Sequence, residues 1–320
     1  MAEQQVTQMS PVASTWQTQE RWSKAASRFK QSYERAKLTA LLLSCGGAVM
    51  AVTSDQTWAR GFHSPVAWLG ALFLLLVPVV TRLGTSQQAL ERWLRARSVS
   101  EQLKTETYQY LTRTGPYGDP SATAVLIQRR DSLLQKVADL EPNIAGIPTE
   151  RQVPAVKDVA SYITLRLTDQ IERYYEPRAA EHHRKAGVYR WVEGGMAVLG
   201  AVVAATSSIK DSPVAATWVA VLTTVGTAVA AHLLAGRHEQ LVPDYLATAR
   251  RLRSLKELFL VANPDANQAP VAEINAFVSA VEGAISVQSE GWMAEWLRNP
   301  RPAGQNPSSS LSETPERGTP

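Results

Sequence analysis

One cysteine in 320 residues, Cys45, means that no disulfide can form within the chain and no CxxC pair can hold a metal. It lies inside an apolar block and reads as a packing residue, the usual role of a buried free thiol. Catalytic signatures are missing too. The sequence has no GxSxG elbow, P-loop, HExxH helix or dinucleotide-binding glycine fingerprint, so it points to no enzyme and calls for no cofactor. His182 and His183 are adjacent, and neighbours on a helix point about 100° apart, which suits a solvated basic patch better than a pair of metal ligands. The net charge is +4, yet Lys and Arg form no basic run with interleaved aromatics, which argues against nucleic acid as a partner. A secretory signal is absent as well: residues 1–31 are polar, and the first apolar run follows a basic segment without a small-residue cleavage site.

What is abundant is concentrated. A mean hydropathy of −0.16 conceals four apolar blocks, at about 38–54, 64–82, 192–209 and 213–235. Each is near the length that carries a helix across a hydrocarbon core, although residues 38–54 taken alone also fit a buried core helix. Pro78 is tolerable inside a span, because neighbouring groups can satisfy the carbonyl it frees. Trp58, Trp68, Trp191 and Trp218 stand at or near block ends, where amphipathic rings favour the membrane interface. Charge then gives the orientation. The four flanking stretches 18–37, 82–101, 172–191 and 236–255 hold 19 Lys and Arg, while the two short turns contain only Arg60 and Lys210. By the positive-inside rule both hairpins enter from the cytoplasm, with both termini inside. The expected fold is all-α: an integral membrane protein with two transmembrane hairpins (four spans), long cytoplasmic helices and the lipid bilayer as its first partner.

The order basic helix, span, short turn, span, polar helix occurs twice. An offset of 152 places Trp93 on Tyr245, Leu94 on Leu246, Leu103 on Leu255 and Lys104 on Lys256. The domain reading is a flexible N-terminus (1–15), a first unit (16–145), a second unit (150–262), a C-terminal helix (264–298) and a disordered Pro/Ser/Gly-rich tail (299–320). A long helical pattern beginning near Val156 feeds the third span, with a bend expected at Pro177. The segments RARSVSEQLKTETYQYLTRTGPY (95–117), YITLRLTDQIERYY (162–175) and YLATARRLRSL (245–255) resemble the SLATT family, the SMODS- and SLOG-associating two-transmembrane effector domains of bacteria. The resemblance covers about residues 20–262, as two SLATT subtypes in tandem. It implies a membrane effector in conflict or antiphage systems, one that forms a pore or disturbs the bilayer when a nucleotide-sensing or nucleotide-generating partner protein is triggered. The chain carries no recognisable sensor domain of its own.

Inside the blocks the chemistry on offer is packing. Gly200, Ala204 and Ser208 recur every four residues in the third block, and Ala216, Ala220, Thr224 and Ala228 do so in the fourth. Small residues on one helix face let backbones approach closely in lipid. Two readings stand: pore-lining or subunit contacts of a homo-oligomer, or packing surfaces within one four-helix monomer. Glu193 at the mouth of the third span is either a pore entrance or an interfacial carboxylate reaching water. His232 is either a gating group or a shallow interfacial histidine. The sequence thus supports an oligomerising effector, with a membrane scaffold that recruits a cytoplasmic partner as the alternative. A transporter is disfavoured, since no span has a central charge and the repeats share one orientation.

Overall fold

The computed structural model describes residues 10–54, 63–210, 213–235 and 238–298, and every regular element among them is helical. Along α1 (Pro11–Ser54) the buried positions Ala26, Tyr33, Ala40, Gly47 and Ser54 fall seven apart. That spacing keeps one face of a helix against its partners through a left-handed supercoil. Beyond Tyr33 the seam carries only small side chains, Ala40, Gly47 and Ser54, so α2 (His63–Gly84) can close on α1 there. At Gly84 an added Cβ would overlap Ala36, which explains a glycine at the point where α2 ends. Helix α2 runs unbroken through Pro78, and the Thr81 hydroxyl donates to the Val77 carbonyl at 2.9 Å. Ser86 then caps α3 (Gln87–Leu111), its hydroxyl accepting the Ala89 N–H at 3.3 Å.

Three helical stretches are long and apolar enough to cross a membrane, Pro11–Ser54, Pro65–Leu111 and Val159–Thr206, and a shorter apolar stretch covers Thr217–Ala230. Helix α1 packs against both α2 and α7 (Pro213–Ala235), and α7 against α6 (Glu176–Lys210), so the apolar helices follow one another in the order α2, α1, α7, α6. Leu42, Leu75, Val198 and Val202 are each more than half exposed. Apolar surface on this scale calls for a lipid or protein cover. The two hairpin turns, including Trp58, and the expected tail 299–320 lie outside the described residues.

Below the apolar helices the chain builds two large cores and a small one around Tyr117, Ala122 and Leu126. One gathers Trp22, Tyr33, Trp93, Leu94, Leu103 and Leu140 from α1, α3 and the 3₁₀ turn after α4 (Ala122–Gln135). The other gathers Tyr162, Leu167, Tyr175, Leu252, Phe259 and Val278, and includes α8 (His238–Ala262) and α9 (Val271–Arg298). The cores interlock, because Trp16 and Tyr108 from the first half of the chain are buried in the second, their rings edge to face at 5.9 Å. The connecting segment is pinned to α1: the Glu20 carboxylate accepts the N–H groups of Glu150 and Arg151, each at 2.9 Å, and Lys24 donates to the Pro148 carbonyl.

The path into α6 departs from the expected bend. A capping box at Asp158 opens the short α5 (Val159–Tyr162), which continues as π-helix through Ile163–Thr168 and Ile171–Tyr175 before α6 begins. The cause is legible in the burial pattern. Val159, Ile163, Leu167, Ile171, Tyr175 and Ala179 are all buried, and each is four residues from the next. In an α-helix a four-residue step turns about 40° too far, so five steps would carry the stripe about 200° around the rod. Wider π turns take up that excess and hold the stripe on one side. Pro177, which cannot donate to the carbonyl four residues back, falls just after the π turns at the start of α6.

Candidate functional site

The two hairpins use their small residues differently. In the first, Gly47 and Gly70 meet at a close crossing: a Cβ on Gly47 would lie 2.7 Å from Leu74 and 3.2 Å from the Gly70 carbonyl, and one on Gly70 would lie 3.0 Å from the Met50 Cβ. A Cβ on Gly46 would press on Phe73 at 3.1 Å. In the second hairpin a Cβ on Gly194, Gly195 or Gly200 would meet nothing within 4 Å, and Gly226 touches only the end of Met196, at 3.8 Å. Between α6 and α7 there remains a groove of about 360 Å³ bordered by Glu193, Met196, Gly200, Thr223, Gly226 and Thr227. The two threonine hydroxyls are satisfied by their own helix, Thr223 donating to the Val219 carbonyl and Thr227 to that of Thr223, each at 2.8 Å. Hydroxyls bonded this way present a surface that lipid or another helix tolerates.

Of the residues singled out in the sequence, Gly200 borders this groove and Ala204 lies half-buried one turn further on. Thr224 is exposed and Ala228 half-buried on α7, while the side chains of Ser208, Ala216 and Ala220 lie outside the described residues. Glu193 is exposed at the groove mouth, one turn beyond Arg190, which approaches Glu239 of α8 at 3.8 Å. His232 is half-buried on α7. The groove thus draws together Glu193 and Gly200 but not His232. His182 stacks at a tilt on the Tyr245 ring, 5.6 Å away, and no cluster of three metal-ligating side chains occurs among the described residues.

A second constellation lies in the core below the apolar helices, where the π turns face α3 and α9. Arg166 and Glu282 are both fully buried and form a two-pronged ion pair, Nε to Oε1 at 2.9 Å and a terminal nitrogen to Oε2 at 2.8 Å. The same carboxylate accepts the hydroxyls of Tyr162 at 2.9 Å and Thr105 at 2.8 Å, and the guanidinium lies 4.7 Å over the Tyr108 ring. Burial opposes both charges, but each partner holds the other ionised: Glu282 titrates below the ordinary carboxylate range and Arg166 above its usual value. On α3, Arg97 pairs with Glu101 at 3.2 Å and donates to the Tyr174 hydroxyl at 2.8 Å. Lys104 shares that face and has no hydrogen bond among the described residues. Burial first, and then the neighbouring Arg166 charge, bring Lys104 down to about 8. The seam therefore brings three cations, Arg97, Lys104 and Arg166, together with two carboxylates, Glu101 and Glu282. Sequence reasoning missed it, although Tyr162, Arg166, Gln170 and Tyr174 also stand four apart and mark a second inward stripe.

Comparison with known families bears on the half of the chain that holds the π turns and the open hairpin. Residues 162–292 match the SMODS and SLOG-associating 2TM effector domain 1, SLATT_1. The match runs from the first inward tyrosine of the π turns through α6 and α7 into α9, so the open groove and the Arg166–Glu282 pair both fall inside the SLATT segment. It supports the SLATT family and a membrane protein carrying an effector-associated two-span domain. Residues 20–124 match a different model, described as a protein of unknown function (DUF4231). No curated protein and no solved structure gives a significant match to the chain.

Proposed function

We propose that this chain is a non-enzymatic effector of the bacterial inner membrane. Two SLATT-type units stand in tandem, four spans cross the bilayer, both termini are cytoplasmic, and second hairpins from several copies associate to open a pore or lesion. The observation that carries the reading is the contrast between a first hairpin closed at Gly47–Gly70 and a second in which a Cβ on Gly200 would meet nothing within 4 Å, with Ala204 one turn further along the same side of α6. In lipid no hydrophobic force drives helices together, so a smooth face of small residues is the feature that rewards contact with another helix. A cytoplasmic nucleotide-sensing or nucleotide-generating protein is the proposed trigger. The test is Gly200→Leu in full-length protein in its native membrane. The variant is expected to insert normally but to lose higher-order crosslinks and any membrane permeabilisation the wild type causes. Retention of both refutes association through this face.

A scaffold reading has its own support. At the end of the molecule away from the apolar blocks, Leu258, Val261 and Val271 are each at least 70% exposed, an apolar patch suited to a protein partner. Growth arrest on expression of the wild type favours the effector, and unimpaired growth with partner capture lost in Val261→Glu favours the scaffold.

A further inference from the structure

We propose that the π turns between Val159 and Tyr175 form a rotary coupling, in which release of the Glu282 contact lets them relax towards α-helix and turns the third span about its own axis. The argument begins with continuity. From Val159 to Lys210 the chain is one helical rod, with no loop to absorb a change made at its cytoplasmic end. Its π segments are held by two stripes of four-residue spacing. The apolar stripe from Val159 to Ala179 packs into the second core, and the polar stripe Tyr162, Arg166, Gln170 and Tyr174 faces the α3 side. Neither stripe fits an α-helix, whose four-residue steps drift by about 40° each. The π form therefore persists because the core grips it.

That grip centres on one buried carboxylate. Glu282 is the point at which α9 holds the rod, through Arg166 and Tyr162, and α3, through Thr105. If α9 lets go, the stripes lose their partners and the rod is free to take the commoner α geometry. Each π segment that relaxes then turns everything beyond it by about one residue's worth of rotation, about 100°. Helix α6 is the element that turns. Its apolar part is the least covered of the three long apolar stretches, so little protein packing resists rotation. A turn of that size carries Met196 away from Gly226 and re-aims Glu193 and Gly200.

The sequence also shows how to disable the device without changing the resting fold. Thr164 and Glu172 are exposed residues, one in each π segment. Deleting both converts the buried stripe from steps of four to alternating steps of four and three, the α-helical pattern. The same inward residues then stay inward, and α6 keeps its rotational setting with no excess left to release.

The experiment uses full-length protein in native membranes, with Cys45→Ser as background and Met196→Cys with Gly226→Cys as reporter pair. Oxidative crosslinking within one chain is expected to be efficient in the otherwise wild-type chain and to fall at least fivefold in Glu282→Gln, while crosslinking to Gly226→Cys rises for Gly195→Cys or Ala197→Cys if one π segment relaxes and for Gly194→Cys or Val198→Cys if both do. Removing Thr164 and Glu172 from the Glu282→Gln chain should restore the 196–226 crosslink. Two results overturn the proposal: crosslinking unaffected by Glu282→Gln, or a loss that the double deletion does not reverse, which would assign it to a disordered core. Both readouts are independent of whether the protein forms a pore.

Discussion

The first hairpin is locked by backbone contact and the second is held mainly from below. In the first, glycines bring α1 and α2 together so closely that even a methyl has no room at Gly47 and only a tight fit at Gly70. In the second, α6 and α7 touch more loosely, and α6 continues directly from the π turns that carry the Arg166–Glu282 pair. Two units of like element order have thus divided the work. One supplies a closely packed pair of apolar helices, and the other a looser pair whose α6 runs on without a break from the π turns and the buried ion pair. A buried ion pair adds little net stability, since the cost of desolvating both charges can match their attraction, yet losing one partner is costly.

The largest expected effect strikes the second hairpin alone. Arg166→Met leaves the Glu282 carboxylate buried with only hydroxyl donors, at a cost of about 3 to 5 kcal/mol to the core that holds it. Hydrogen exchange should show α6, α8 and α9 losing protection while α1 and α2 keep theirs, and Arg166→Met with Glu282→Leu should recover much of the loss. Equal loosening of both hairpins would erase the distinction drawn above.

An intermediate effect separates the hairpins by packing. Gly47→Leu forces a branched side chain against Leu74 and the Gly70 carbonyl, and overpacking of this kind costs about 1 to 3 kcal/mol. Thermal unfolding in detergent should show a clear drop for Gly47→Leu and almost none for Gly200→Leu, whose added atoms enter open space. A matching drop in both would mean that the second hairpin is closed like the first.

The smallest effect concerns the seam between the two units, where Lys104 is held down to about 8 against an ordinary lysine near 10.4. Below pH 8 the ammonium is charged in both folded and unfolded chains, and its burial cost is paid in full. Between pH 8 and 10 the folded chain has released the proton while the unfolded chain keeps it, so stability rises with pH across that window. Lys104→Met should therefore be more stable than the wild type at pH 7, by about 2 kcal/mol, with the gap closing by pH 10. Above that, tyrosines whose ionisation burial suppresses, Tyr162 and Tyr175, favour the folded state less as pH climbs. A gap that stays constant with pH would show that Lys104 is not the group responsible.

Much of this was legible in the chain and some was not, for identifiable reasons. Hydropathy marks the apolar blocks because a hydrocarbon core demands long uncharged runs, and three of them lie in helices long enough to cross. The glycine crossing was less accessible. Gly46, Gly47 and Gly70 are plain in the sequence, but which face meets which depends on the rotation of α1, set by a heptad seam reaching down to Ala26. Small-residue spacing instead drew attention to Gly200 and Ala204, where the structure leaves an open face. The π turns were visible as the four-residue spacing of Val159, Ile163, Leu167 and Ile171, a pattern read there as an ordinary helix with a bend at Pro177. The Arg166–Glu282 pair had no local signal: its members are 116 residues apart, and each resembles any charged residue on an amphipathic helix.

Trp16 and Tyr108 carry one further implication, about how such a chain can be made and divided. Both belong by position to the first half, yet they complete the core of the second. Synthesis from the N-terminus makes both rings before the helices that bury them, so the first half is completed without the core that Trp16 and Tyr108 belong to. A gene split between residues 147 and 156 would therefore yield two products that each display half of a shared joint. Such halves should be found together or not at all, and a natural pair of adjacent genes encoding them would behave as one protein.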